Sequence, residues 1–213
     1  MRRTFAWPLP LLFLVACGVP EVADSFEKGG NTLVVLDTSQ GEIVIRLLPD
    51  QAPKNAENFL RLCESGYYDQ TYFHRVAPGY LIQGGDPNTR DGDPETDGYG
   101  GRPHGESIPL EVGVLSHLRG MVSMARGSAP ESAGSQFFIM LGDDPSLDGE
   151  YTVFGEVVEG LDVVDSIGDM PGRPYPDVGG FNPDDRQHIL CCRLLERISS
   201  SDDGDVATAD VPD

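Results

Sequence analysis

Arg75 and Gln83 are the two side chains best suited to chemistry in this chain of 213 residues. They lie in the tract Phe73-His74-Arg75-Val76-Ala77-Pro78-Gly79-Tyr80-Leu81-Ile82-Gln83-Gly84-Gly85-Asp86, which sets one permanent cation and one amide in a largely apolar run. An arginine keeps its proton at neutral pH, so it is a poor acid or base and a good hydrogen-bond fork. The tract therefore points away from proton transfer and toward hydrogen-bond donation. Residues at even spacing share a strand face, so Phe73, Arg75, Leu81 and Gln83 fall on one side if the Pro78-Gly79 bend keeps register. Alone, the tract also fits a surface strand whose arginine snorkels to water.

Three later segments follow in order: Gly120-Met121-Val122-Ser123-Met124-Ala125-Arg126, Gly134-Ser135-Gln136-Phe137-Phe138-Ile139 and Leu147-Asp148-Gly149-Glu150-Tyr151-Thr152-Val153-Phe154-Gly155. With the first tract they resemble the cyclophilin family of peptidyl-prolyl cis-trans isomerases, over about residues 33–196. The resemblance implies a task for each residue. Arg75 would be the catalytic donor to a proline nitrogen, and Gln83 would orient it and touch the substrate backbone. Tyr80, Leu81, Phe138, Leu147 and Tyr151 would line an apolar pocket for the proline ring. Ala125 and Arg126 would meet the peptide mainly through main chain, and Gln136 would help position it. Phe73 joins the substrate-binding set through its face shared with Arg75, whereas Phe137, Met121, Val122 and Met124 read as packing.

Several positions depart from the commonest family pattern. Tyr80 stands for Phe, Arg126 for Asn, Tyr151 for the His of many eukaryotic members, and Ser146 for the tryptophan of drug-sensitive ones. Arg126 implies a preference for acidic flanking residues, and Ser146 implies weak cyclosporin binding. A non-catalytic module that holds proline-containing partners would use the same groove. Retention of Arg75, Gln83, Phe138 and Leu147 together favours catalysis, since holding alone tolerates loss of the arginine.

The elements that must position these residues read as mostly β. Residues 32–38 and 42–48 are β-branched runs joined by Ser39-Gln40-Gly41, a hairpin signal. Residues 53–65 read as a helix with Ala56, Phe59, Leu60 and Cys63 on one face and Gly66 as its stop. Strands are predicted at 72–75, 81–83, 121–125, 137–140, 152–158 and 188–196, with a second helix at 161–167. Pattern alone does not separate barrel from sandwich. The resemblance implies a closed eight-stranded antiparallel barrel capped by two α-helices. Residues 87–117, rich in Gly, Pro and Asp, read as a long loop flanking the groove, with His104 and His117 structural or solvated.

Composition bounds the rest. One domain is expected at 32–198, flanked by a leader at 1–16, a flexible tether at 17–31 and an acidic disordered tail at 199–213. Met1-Arg2-Arg3 followed by an apolar run too short to span a bilayer reads as an export signal. Its Leu14-Val15-Ala16-Cys17 end resembles a bacterial lipobox, so Cys17 is expected to be lipidated and to tether the protein to a membrane facing the periplasm or cell exterior. Net charge is −20, and −22 once the leader's Arg2 and Arg3 are removed. That balance excludes nucleic acid as an expected partner, because phosphate binding needs a basic patch. It fits plain solubility and, with only two lysines, also adaptation to high salt. Adjacent Cys191 and Cys192 should point to opposite faces of a strand, and a disulfide from Cys63 stays open. His188 beside them finds no second ligand cluster, so no metal and no cofactor are expected. The expected partners are proline-containing polypeptides, and the expected state is monomeric.

Overall fold

The computed structural model describes residues 31–101, 107–174 and 179–198. The leader at 1–16, Cys17, the tether up to residue 30, His104 and the tail at 199–213 lie outside the described residues. Within them are the strands β1 (Asn31–Thr38), β2 (Gly41–Leu47), β3 (Thr71–Tyr72), β4 (Arg75–Ala77), β5 (Leu81–Gly84) and β6 (Met121–Met124). After these come β7 (Phe137–Met140), β8 (Thr152–Glu159), β9 (Gly172–Pro174), β10 (Phe181–Pro183) and β11 (His188–Ile198). The helices are α1 (Pro53–Glu64) and α2 (Leu161–Gly168). All strand pairs are antiparallel, in the order β3-β11-β1-β2-β8-β6-β7-β5-β4-β10-β9.

This order corrects the expected closed eight-stranded barrel. The sheet is open: nine strands run from β3 round to β4, after which it continues into the β9–β10 hairpin. Among the described residues no ladder joins β3 to β4; they are linked through Phe73-His74 of the chain itself. The strand predicted at 72–75 breaks there for a visible reason. Thr71 and Tyr72 pair with β11 whereas Arg75 to Ala77 pair with β5, and Phe73 still gives its N–H to the Gln187 carbonyl at 3.1 Å, so the chain changes partner strand across Phe73-His74.

Elsewhere alternation holds and divides the sheet into two faces. Val34, Leu36, Ile43, Ile45, Leu47, Val76, Ile82, Val122, Phe137, Ile139 and Phe154 point inward. Helix α1 covers them with Ala56, Phe59, Leu60, Leu62 and Cys63, and α2 with Val164 and Ile167. At the centre Phe59 packs its ring 5.1 Å from Tyr68, 5.2 Å from Phe137 and 5.0 Å from Phe154. Such contacts add to the free energy of burial.

Helix α1 starts at Pro53 with no side-chain cap of its own. Its exposed N–H groups are instead met from afar, the Glu111 carboxylate accepting from Lys54 N at 3.2 Å and Asn55 N at 2.9 Å. A disulfide between Cys63 and Cys192 then ties α1 to β11. Cys192 is buried and Cys191 half-buried, as adjacent strand residues on opposite faces should be.

Candidate active site

On the outer face of the same strands a second, smaller apolar cluster forms from Ala77, Leu81, Ala125, Phe138 and Met140, with Tyr80, Met121, Leu147 and Tyr151 packed against it. Among the described residues no α-helix covers it, and the surface opens as a groove of about 1080 Å³. Register explains the assembly. Cross-strand pairs Arg75↔Gln83, Gln83↔Phe138 and Leu81↔Met140 bring residues far apart in sequence side by side on one face.

The apolar part of the groove is bounded by Tyr80, Leu81, Ala125, Phe138, Leu147 and Tyr151. Tyr151 meets Phe138 edge to face, with centroids 5.5 Å apart. Behind Phe138 lies His117, stacked at 6.1 Å and almost fully buried, its Nδ1 2.8 Å from Asp148 Oδ1. Hydrogen bonds from Ser116 and then His117 hold the Asp148 carboxyl low, at about 2. His117 is thus structural, supporting the pocket wall from behind. Leu147 is presented by a single 3-10 turn, Pro145–Leu147, whose start is capped by Asp144 accepting from Ser146 N. Burial first, and the facing Asp144 second, push the Tyr80 phenol up.

The polar wall is built as a relay. Arg75 Nη1 donates to Gln83 Oε1 at 3.1 Å, and Arg75 Nε donates to the Gly179 carbonyl at 2.9 Å. Gln83 Nε2 donates to Gln136 Oε1 at 2.9 Å. Gln136 Nε2 in turn donates to the carbonyls of Gly100 at 2.7 Å and Gly98 at 2.9 Å. Every bond runs the same way, so each amide is locked at both ends. What the arrangement can do is hold a permanent cation in one orientation beside an apolar ring pocket.

Nearly all the predicted site residues converge on the groove: Arg75, Gln83, Tyr80, Leu81, Ala125, Arg126, Gln136, Phe138, Leu147 and Tyr151 line it. Phe73 does not. It is fully buried in the inner core, with its ring 6.2 Å from Phe137, because the break before β4 turns it away from the face of Arg75. Ala125 gives its N–H to the Gln136 carbonyl at 2.9 Å, so its own carbonyl is what it can offer a peptide. Arg126 lies 4.8 Å over the Tyr151 ring and bonds the Glu150 carboxylate at 3.0 Å and the Glu150 carbonyl at 2.9 Å. Glu150 thus supplies a partly exposed counter-charge to Arg126 at the rim of the groove. Sequence reading missed Met140, the Gly179 carbonyl and the loop carbonyls of Gly98 and Gly100. Alternation along β7 could have found Met140, but main-chain carbonyls carry no sequence signal.

Comparisons with known proteins agree on one family. The family model "Cyclophilin type peptidyl-prolyl cis-trans isomerase/CLD" matches residues 33–181. An Arabidopsis thaliana peptidyl-prolyl cis-trans isomerase is 46% identical over 132 residues, covering 62% of this chain and 79% of that protein. A Brucella suis protein named "Probable peptidyl-prolyl cis-trans isomerase" is 39% identical over 157 residues, covering 72% of this chain and 80% of its own length. Among solved structures, a Cryptosporidium parvum cyclophilin type peptidyl-prolyl cis-trans isomerase, crystallised in the presence of the dipeptide Ala-Pro, superposes with a TM-score of 0.67 at 34% identity. That match covers 77% of this chain and 99% of the other.

Proposed function

The chain belongs to the cyclophilin-type peptidyl-prolyl cis-trans isomerase family, and from that premise we propose that Arg75 is the group that accelerates rotation about X-Pro bonds of exported polypeptides. The carrying observation is Arg75 itself, held by Gln83 and Gly179 on the wall of a groove that also exposes the apolar cluster around Phe138. Rotation about the bond faces a barrier on the order of 20 kcal/mol because amide resonance is lost at its top. As the bond twists, the proline nitrogen regains lone-pair character and accepts a hydrogen bond that the planar ground state cannot. A donor already aimed there stabilises the transition state selectively and needs no covalent step.

Each neighbour then has a part. Tyr80, Leu81, Phe138, Leu147 and Tyr151 seat the proline ring, which has no donor to satisfy. The Ala125 carbonyl and the Gln136 and Arg126 side of the groove hold the flanking backbone, and Gln83 keeps the guanidinium plane fixed. Ser146, small and bonded to Asp144 at 2.6 Å, supplies no broad apolar surface, which supports weak cyclosporin binding. The protein acts on exported chains, tethered through a lipid on Cys17, and this part of the reading rests on the leader sequence alone.

The test is a proline-isomerisation assay on the full chain. Arg75→Ala should lower kcat/KM about 10²–10³-fold, the loss typical of one preorganised donor. An inactive wild type, or a variant that loses nothing, overturns the reading. Mass spectrometry of the membrane-extracted protein tests the tether, since an unmodified Cys17 or an intact leader removes it.

A further inference from the structure

The relay that orients Arg75 ends on a residue the catalytic reading does not use. Asp86 is fully buried and follows the Gly84-Gly85 pair that closes β5. Its Oδ2 accepts from Gly98 N at 2.5 Å and Gly100 N at 3.1 Å, and its Oδ1 accepts from Asn88 N at 2.9 Å. It thus holds, through their N–H groups, the same two glycines whose carbonyls receive Gln136 Nε2, and its own Oδ2 stands 3.5 Å from that nitrogen. Gly100 is fitted to this contact, because a Cβ there would collide with Asp86 Oδ1 and the Asn88 side chain.

We propose that Asp86 is a positioning residue for catalysis: a buried carboxylate that sets the 98–100 loop and, through Gln136 and Gln83, the orientation of the Arg75 guanidinium. The inference rests on the isomerase reading of Arg75. Its physical content is directionality. With Asp86 and two carbonyls facing Gln136 Nε2, that amide can present only Oε1 to Gln83. Gln83 must then present its own Oε1 to Arg75. A donor-to-acceptor chain of one polarity links the cation to the carboxylate, and bonds in such a chain reinforce one another. Turning any one amide over would break a bond at each of its ends.

Asp86→Asn keeps the shape and replaces an acceptor oxygen by a donor, so either Gly98 and Gly100 or Asn88 loses its partner. A residue acting only through Arg75 should be non-additive with it. In the full chain, Asp86→Asn is expected to lower kcat/KM about tenfold beside native Arg75 and less than twofold in the Arg75→Ala background. The loss should fall mainly on kcat with KM little changed, since the ring pocket is untouched. An equal loss in both backgrounds, or none in the first, overturns the proposal. Should Asp86→Asn not fold, Gln136→Glu cuts the same relay by setting a carboxylate against the loop carbonyls, and additivity of that variant with Arg75→Ala in kcat, apart from any KM change from the substrate contact of Gln136, would sink it equally. The nitrogen-15 signal of Arg75 Nε gives a readout independent of turnover: it should shift in either variant, and an unmoved signal counts against the relay. If the wild type shows no turnover, the isomerase reading fails while this signal still decides the positioning.

Discussion

Phe137 and Phe138 are neighbours in β7, both nearly sealed from water, and they belong to different parts of the molecule. Phe137 points into the core, where it meets Phe59 and Tyr68 edge to face at 5.2 Å and 5.5 Å. Phe138 points outward into the cluster with Leu81, Ala125 and Met140, and its edge-to-face partner is Tyr151 on the rim of the groove. One strand serves both purposes because its side chains alternate. The difference lies in what covers each face: α1 and α2 close the inner one, and the outer one is left as a groove. Cohesion and chemistry are therefore separated by the thickness of the sheet.

The sharpest way to break that comparison is to truncate the two rings in turn. Phe137→Ala removes a ring enclosed on all sides and should cost roughly 3–5 kcal/mol of stability, measured by denaturant unfolding. Turnover per folded molecule should change little. Phe138→Ala borders a groove already open to water, so less of an enclosed cavity forms and the stability loss should be smaller. Its effect should appear as weakened binding of proline peptides. If both variants lose stability equally and keep activity equally, the two faces are not functionally distinct.

The same alternation decides what could be read from the residues alone. Strands such as β2, β7 and β8 were legible as β-branched and aromatic runs, and α1 because Ala56, Phe59, Leu60 and Cys63 repeat at helical spacing. Phe73 was misplaced because its spacing to Arg75 is right for one face only if the strand is continuous, and the strand breaks between them. The β9–β10 hairpin was missed: three residues a side, with Gly and Pro among them, leave no period to detect. Closure of the barrel came from the resemblance, and the pairing order does not support it. In the site, side chains carried by motifs were found, whereas partners defined by distance were not. Glu150 as the counter-charge of Arg126, and Cys192 as the partner of Cys63 across 129 residues, depend on how the sheet curls.

The disulfide allows a second, somewhat smaller test of the separation. It joins α1 to β11 through two residues of the inner core, so it should serve stability alone. Cys192→Ser, or reduction of the native protein, should cost about 2–4 kcal/mol by freeing the unfolded chain from a long closed loop. The comparison is sharpened if kcat/KM measured well below the melting transition is unchanged. A loss of turnover in a still-folded reduced protein would mean that α1 feeds the groove.

The smallest effects are those of pH, and here stability should respond while turnover should not. His74 is fully buried next to Arg75, and loss of hydration holds its imidazole below the usual histidine range, with Asp86 and Asp97 pulling the other way. Its folded value is depressed, so the unfolded chain takes up a proton first as pH falls. Stability from this group is complete above about pH 6.5 and declines below it. Asp148, held at about 2, adds a second loss that begins only near pH 4 and runs down toward that value. Arg75 titrates nowhere in this range, so turnover per folded molecule should stay flat from about pH 6 to 9. Melting temperature and kcat/KM recorded over the same buffers make the contrast measurable. A rate that fell below pH 7 while the fold stayed intact would show that a histidine acts on the rate, and His74, beside Arg75, would be the first to substitute.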